Sequence, residues 1–245
     1  MLVKESLERE FTLRNYETNF RQELKPSALL GYFQETAGDH SEMMGLGFAR
    51  LAEKGYGWLL SKIFVQFEEL PKFGDTVLVR TWPHKPNKAI YERSFELLHG
   101  NGVIARAYSR WCIFNKKSGM VVPCSKVDQP EIDFIEKRSV DFNDWQLRGI
   151  EHKSSPEFSI RIANSEYDLN YHVNNIKYAD YIFNCFTVRE LEERRLKSFQ
   201  LHYIKQAREN DVLDFYREET SASEYTVEGI KNGEELVVSA RICFE

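Results

Sequence analysis

The chain has 245 residues, a formal net charge of −5 and 42% apolar side chains. This length is enough for one large domain or two small ones, each with a substantial core. The acidic balance argues against a general binder of nucleic acids or anionic membranes, so an acidic partner would have to meet a local basic patch.

The cysteines and the N-terminus indicate the compartment. Cys112, Cys124, Cys185 and Cys243 are far apart and have no metal-ligand spacing, which predicts reduced thiols and neither a disulfide framework nor a zinc site. The N-terminus is charged, and no run approaches the roughly 20 apolar residues of a membrane span. We expect a soluble cytoplasmic protein, or the mature form of one whose targeting segment is absent.

The first half of the chain predicts a strand, a long helix and then four strands. The strands are rich in Val, Ile, Tyr, Phe and Trp and end at turn signals such as Gly100-Asn101-Gly102. The helix is predicted from Ser27 to about Met43, with Pro26 close to its start. The predicted strands are Glu10–Phe20, Trp58–Phe67, Thr76–Pro83, Ala89–Leu98 and Val103–Asn115.

The second half repeats this order of elements. Its predicted helix runs from Asn174 to about Glu193, and its apolar face is carried by Ala179, Ile182 and Phe186 among others. Its predicted strands are Glu157–Ile162, Ser198–Ile204, Val212–Glu218, Ser223–Lys231 and Glu235–Phe244.

A short sequence match supports an internal repeat. Val65-Gln66-Phe67 precedes Gly74-Asp75, and Leu201-His202-Tyr203 precedes Asn210-Asp211 with the same spacing, 136 positions later. With one long helix and one antiparallel sheet per half, the sequence predicts an α+β fold in which each sheet wraps its own helix. The predicted boundaries are 1–125 for the first half, 126–155 for a linker and 156–245 for the second half.

The most informative segment lies directly before the second helix. Asp168, Asn170 and His172 are two residues apart, so in an extended segment their side chains would point to one side. Either Asn174 or Asn175 could cap the helix, and the unpaired N–H groups of Val173, Asn174 and Asn175 could bind an oxyanion. An acid, an amide and an imidazole beside such donors are the parts of a hydrolytic site. The alternative is a plain helix cap.

Several segments carry a resemblance to a known family. Asp168 to Tyr178, DLNYHVNNIKY, fits the motif D-x-N-x-H-V-N-N-x-x-Y of the acyl-[acyl-carrier-protein] thioesterases, and segments 73–77 and 106–111 also resemble that family. The resemblance covers about residues 8 to 244. It implies a tandem, or double, hotdog fold and hydrolysis of an acyl thioester to free fatty acid, without a metal or redox cofactor. The implied partner is acyl carrier protein bearing acyl-phosphopantetheine, with no nucleic acid, and a homodimer is compatible with the sequence.

The resemblance implies that Asp168, Asn170 and His172 form the catalytic set. His172 could activate water or bind the thioester carbonyl, and Asn170 could orient the water or the imidazole. Asp168 could fix the tautomer of the imidazole or act as the base itself. The sequence does not choose between these roles.

The chain departs from the plant members of the family in one segment. They carry an acidic residue followed by cysteine where this chain has Gln206 and Ala207. Alanine cannot be a nucleophile, and glutamine can orient water but cannot take a proton at neutral pH. We therefore predict general-base hydrolysis by Asp168 or His172 without an acyl-cysteine intermediate. Glu209 is the alternative source of an acid.

The remaining predictions concern the first half and the partner. His40 is expected to cap its helix or face solvent. The acyl pocket is predicted to be lined by Tyr32, Phe33, Met43, Met44, Leu46 and Phe48, with ordinary core packing as the alternative. The basic clusters that could bind the carrier protein are Arg80, Lys85, Lys88 and Arg93, or Lys116 and Lys117, or Arg189, Arg194, Arg195 and Lys197.

Three other functions compete with carrier-protein hydrolysis. An acyl-CoA thioesterase would share much of the motif. A hotdog dehydratase would place its histidine and acid on separate segments, whereas here they lie in one short stretch. A non-catalytic module that binds acyl thioesters would not need the complete D-x-N-x-H set.

Overall fold

The computed structural model describes residues 4–152, 155–169 and 171–245. The chain divides into two compact units. The first comprises the residues up to Ile63 together with Glu68–Phe142, and the second comprises Phe64–Phe67 together with Asn143–Glu245. The boundaries predicted at 125/126 and 155/156 stay a prediction.

The first unit contains one long helix and one sheet with strand order β1-β3-β4-β5-β2, and β6 pairs with β5. The pairs β1/β3, β3/β4, β4/β5 and β5/β6 are antiparallel. The elements are β1 Leu7–Thr12, α1 Pro26–Met43, α2 Phe48–Glu53, β2 Tyr56–Phe67, β3 Thr76–Pro83, β4 Tyr91–His99, β5 Gly102–Asn115 and β6 Val121–Val122. The last four residues of β2, Phe64–Phe67, belong to the second unit.

The second unit repeats this arrangement with strand order β8-β11-β10-β9-β7. All four pairs in this order are antiparallel. The elements are β7 Phe158–Arg161, α3 Asn175–Phe183, α4 Val188–Glu192, β8 Leu196–Tyr203, β9 Val212–Ser221, β10 Glu224–Lys231 and β11 Glu235–Phe244.

Most predicted bounds lie within three residues of the observed ones, but two predicted elements differ more from the structure. The strand predicted over Glu10–Phe20 is wrong beyond Thr12, because the chain then forms a 3₁₀ turn over Asn15–Glu17. The second helix is interrupted after Phe183, and a new helix begins after Thr187. Thr187 and Glu190 form a reciprocal capping box, which stabilises a helix start at this point.

Hydrogen bonds confirm the internal repeat. The carboxylates of Asp75 and Asp211 each accept a hydrogen bond of 2.8 Å from the backbone N–H three residues earlier. The residue before each aspartate is left-handed, with φ of +87° at Gly74 and +72° at Asn210. The two segments that match in sequence, 136 positions apart, therefore form the same turn in each unit.

The segment predicted as a linker packs along both units. In the first unit, Trp82 Nε1–H donates to Lys137 O at 2.9 Å, and Ser139 N–H donates to Ser94 Oγ at 3.1 Å. In the second unit, Arg241 bonds the Asp144 carboxylate at 2.7 Å. No helix within the described ranges is long and apolar enough to cross a membrane.

His40 is buried, which corrects the expectation that it caps the helix or faces solvent. Its Nε2 lies 2.9 Å from Lys4 O, and its Nδ1 lies 3.2 Å from Nη1 of Arg93 on β4, which is also buried. Burial lowers the pKa of His40, and the neighbouring Arg93 charge lowers it further against the hydrogen bond to Lys4. The neutral ring therefore donates from Nε2 and accepts at Nδ1.

The burial of neutral His40 predicts that its contribution to stability depends on pH. Because its folded pKa lies below that of the unfolded chain, near 6.5, the unfolded protein takes up the proton first as the pH falls. The contribution is fully present above about pH 6.5 and is lost below it. His40→Gln, whose amide can also accept from Arg93, should reduce the slope of unfolding free energy against pH by up to about 1.4 kcal/mol per pH unit.

Urea unfolding at intervals between pH 7.5 and 5.5 measures this slope. His84, which is also buried with a lowered pKa, is unchanged in both proteins and contributes equally to the two curves. Parallel curves for wild type and His40→Gln would contradict the prediction.

Candidate active site

Asp168 and His172 lie at the two ends of a tight turn directly before α3. Asp168 N–H donates to His172 O at 2.9 Å, and Tyr171 N–H donates to Asp168 O at 3.1 Å. Tyr171 has φ of +59°, in the left-handed region. The extended geometry considered for this segment therefore does not apply, because the turn and not a strand pleat brings these two residues together. Asn170 lies outside the described residues.

The start of α3 supplies the backbone donors of the site. Asn174 Oδ1 accepts from Ile176 N–H at 3.2 Å, which identifies Asn174 as the predicted cap. Asn174 N–H donates to Glu166 O at 2.8 Å, so this donor is already used and the prediction that it binds an oxyanion needs correction. In the described part of the chain, the N–H groups of Val173 and Asn175 make no hydrogen bond.

The first unit contains the same turn 149 positions earlier. Asn19 N–H donates to Glu23 O at 2.8 Å, Gln22 N–H donates to Asn19 O at 2.9 Å, and Gln22 has φ of +61°. Asn19, Arg21 and Glu23 occupy the places of Asp168, Asn170 and His172. The Arg21 guanidinium pairs with the Glu23 carboxylate at 2.6 Å. The first turn therefore has no acid at the position of Asp168 and no imidazole at the position of His172, and its carboxylate is paired with Arg21.

The helix starts also differ in their available donors. Leu24, the counterpart of Val173, donates its N–H to Pro71 O at 2.9 Å. Pro26 is the counterpart of Asn175 and has no N–H to donate. The counterparts of the Val173 and Asn175 donors are therefore occupied at Leu24 and missing at Pro26.

Three tyrosine hydroxyls tie the end of β8 and the segment after it to the turn and to α3. The Tyr178 hydroxyl hydrogen-bonds the backbone of Ala207, and burial raises the pKa of Tyr178 to about 12. Tyr167, next to Asp168, accepts from Glu209 N–H, and Tyr203 donates to Asn175 O at 3.1 Å. Sequence reasoning did not assign roles to these tyrosines. The signal for Tyr178 was its place in the motif, whereas Tyr167 and Tyr203 had none.

The structure separates the three residues predicted in the segment after β8. Ala207 is fully buried, whereas Gln206 and Glu209 are exposed. The carbonyl of Gln206 accepts from Lys231 Nζ at 3.3 Å. A catalytic role for the side chains of Gln206 or Glu209 stays a prediction.

Three of the four cysteines are poorly suited to nucleophilic attack. Burial raises the pKa of Cys185 to about 12 and also raises the pKa of Cys112 and Cys243. A thiol with a raised pKa carries little thiolate at neutral pH. Within the described ranges, no group of three His, Cys, Asp or Glu side chains is placed to hold a metal ion.

The six residues predicted for the acyl pocket do not share one environment. Tyr32 is buried and donates to Glu17 at 2.8 Å, and Phe33 stacks on Phe95 with ring centroids 4.6 Å apart. Met44 and Leu46 are buried, whereas Met43 and Phe48 are about half exposed. The pocket itself stays a prediction.

The fold and the turn define a class of protein: two hotdog units in tandem, with an acid and an imidazole before the helix of the second. The chain matches the N-terminal domain of acyl-ACP thioesterases over residues 4–127 and their C-terminal domain over residues 148–244. It belongs to the acyl-ACP thioesterase family, and the predicted family and double hotdog fold are confirmed.

Known proteins of this family resemble the chain closely in fold. An acyl-ACP thioesterase from Bacteroides thetaiotaomicron is 25% identical with a TM-score of 0.88, covering 98% of both chains. The 12:0-ACP thioesterase from Umbellularia californica is 20% identical with a TM-score of 0.85, covering 100% of this chain and 99% of that one.

Among curated proteins, a chloroplastic palmitoyl-acyl carrier protein thioesterase of Cuphea hookeriana is 28% identical over 217 residues. That match covers 83% of this chain and 52% of the relative. The chain thus spans about half the length of the curated plant relative.

The Tyr178 hydroxyl bond can be tested against a neighbouring tyrosine. Tyr178→Phe should lower the free energy of unfolding by about 1–3 kcal/mol, because the Ala207 backbone loses its partner. Amide hydrogen exchange should also accelerate at residues 207–209. Tyr181→Phe is the matched control, because the buried Tyr181 hydroxyl has no hydrogen-bond partner among the described residues. Equal losses in both variants would contradict a specific role for Tyr178.

Proposed function

We propose that the chain hydrolyses the thioester of acyl-[acyl-carrier-protein] and releases free fatty acid. The observation that carries the proposal is the contrast between the two repeated turns. The second turn has Asp168 and His172 beside two backbone donors that make no hydrogen bond in the described part of the chain. The first turn has a closed Arg21–Glu23 ion pair and no such donors. Membership of the family supports the same reaction.

The proposed chemistry is the attack of water on the thioester carbonyl. Asp168 or His172 takes the proton from the water as the new C–O bond forms, and Asn170 orients the water or the imidazole. The carbonyl oxygen becomes an oxyanion, which the N–H groups of Val173 and Asn175 stabilise together with the positive end of α3. Collapse of this intermediate breaks the C–S bond, and the phosphopantetheine sulfur leaves as a thiolate that is then protonated.

The environment of the cysteines supports a mechanism without an acyl-enzyme. Cys185 is buried in the second unit, and this burial raises its pKa to about 12. Ala207 occupies the place of the plant cysteine and has no reactive group. Water activated by Asp168 or His172 therefore attacks the thioester directly.

His172→Ala and Asp168→Asn should each reduce turnover of an acyl thioester by about 10²- to 10⁴-fold, because each removes a group that moves or orients the proton. Release of free thiol from acyl carrier protein and from acyl-CoA of matched chain length measures the loss. His99→Ala, at the end of β4, is the control and should retain activity. An active His172→Ala variant, or an acyl-cysteine detected by mass spectrometry, would refute the mechanism.

The oxyanion donors can be tested with the substitution that the first unit already contains. Asn175→Pro removes one N–H at the first position of α3, where Pro26 stands in α1. Asn174 has φ of −60° and ψ of 133°, which a following proline tolerates. We expect a loss of about 10²- to 10³-fold in kcat with little change in stability.

Asn175→Ala removes the side chain but keeps the backbone N–H. It therefore separates the effect of losing the N–H from the effect of losing the side chain. We expect Asn175→Ala to be much more active than Asn175→Pro. If the two variants have the same activity, the Asn175 N–H does not stabilise the oxyanion.

A further inference from the structure

One part of the first unit is basic although the whole chain is acidic. Residues 83–91 and 105–127 contain no aspartate or glutamate, although the chain has 38 acidic residues. These two stretches hold Lys85, Lys88, Lys116, Lys117 and Lys126, and all five lysines are exposed. Such a concentration of one charge in a chain of net charge −5 creates a local positive field.

Backbone bonds hold the two stretches together. Cys124 N–H donates to Lys88 O at 2.7 Å, which joins the first stretch to the second. The side chain of Asn115 accepts from the N–H groups of Lys117 and Ser118 at 2.9 and 3.0 Å, and this fixes the turn between β5 and β6. Lys116 N–H donates to Gly55 O at 2.8 Å, next to the end of α2. The lysines are therefore presented on an ordered backbone.

Exposed apolar side chains accompany the lysines. Met120 is 70% exposed, Val121 48%, Ile90 43% and Phe48 41%. The Lys116 ammonium lies 4.9 Å from the centroid of the Phe48 ring. Apolar contacts with basic residues around them are typical of a surface that binds a protein rather than a small ion.

Four arginines of the predicted basic clusters are already paired or buried. Arg80 pairs with Glu8 at 2.6 Å and with Glu96 at 3.3 Å. Arg93 is buried against His40, so its assignment as a docking residue is wrong. In the last cluster, Arg189 pairs with Glu193 at 3.2 Å, and Arg195 pairs with Glu245 at 3.5 Å.

By contrast, Lys85, Lys88, Lys116 and Lys117 form no ion pair within the described ranges. Their charges are therefore available to a partner.

We propose that Phe48, Lys88, Ile90, Lys116, Lys117 and Met120 form a docking surface, here named the lysine surface, for the carrier protein. The inference rests on the proposed function, because it assigns the partner of that reaction to one face of the first unit. The occupant that fits is a small acidic helical protein with carboxylates for the lysines and an apolar patch for Met120 and Ile90. Electrostatic attraction accelerates the encounter, and the apolar contacts slow dissociation.

Charge reversal in the full chain tests the lysine surface. Lys116→Glu with Lys117→Glu should raise KM for acyl carrier protein about tenfold at low salt, and the difference from wild type should shrink as ionic strength rises. The kcat/KM for a short acyl-N-acetylcysteamine thioester should not change. The control is Arg189→Glu with Lys197→Glu, which changes the charge equally in the second unit and should leave both substrates unaffected.

A second variant tests the apolar part of the surface. Met120→Ser should raise KM for acyl carrier protein severalfold at every salt concentration, because it removes an apolar contact and no charge. An unchanged KM in both variants, with wild-type hydrolysis of the small thioester intact, would overturn the lysine surface but not the proposed function. No hydrolysis of either substrate by wild type would overturn the proposed function itself.

Flotation with vesicles containing phosphatidylglycerol tests whether the lysine surface binds anionic lipid rather than the carrier protein. We expect no co-flotation of the wild-type chain with these vesicles at physiological ionic strength. Co-flotation that is lost in Lys116→Glu with Lys117→Glu, without any change in KM for acyl carrier protein, would assign the surface to anionic lipid instead.

Discussion

The hydrogen bond from Asp168 N–H to His172 O determines the geometry on which the candidate site depends. It closes a turn that places an acid and an imidazole at the same end of α3, and the turn requires Tyr171 to be left-handed. For a residue other than glycine this conformation costs roughly 1–2 kcal/mol. Such strain persists where the surrounding structure over-determines it. Here the bond from Asn174 N–H to Glu166 O and the Asn174 cap provide that restraint.

The first unit shows that this backbone does not by itself make a site. Its turn has the same hydrogen bonds and the same left-handed residue, at Gln22, but its side chains neutralise each other in the Arg21–Glu23 pair. Its helix starts with Pro26, and the N–H of Leu24 is satisfied by Pro71 O. The two halves thus share the strained scaffold, and three side chains and two backbone donors distinguish them. An assignment of function must rest on those differences and not on the fold.

Local signals predicted the elements, and contacts distant in sequence decided the details. The bounds of β3 and β11 and the extent of α1 agree with the sequence pattern. The break between α3 and α4 was readable in the Thr187–Glu190 capping box. The turn at Tyr171 was not readable, because neither glycine nor asparagine marks its left-handed position. The burial of His40 depends on Arg93, which is 53 residues away.

The surroundings of Ala207 are unfavourable for a reactive cysteine. Its side chain is fully buried, and its backbone is held by the Tyr178 hydroxyl. A cysteine there would be enclosed much as Cys185 is, and burial raises the pKa of Cys185 to about 12. Its thiol would need a nearby positive charge to ionise, as reactive thiols generally do. Alanine fills the same space without a buried reactive group, which agrees with the proposal that the proton chemistry belongs to the turn before α3.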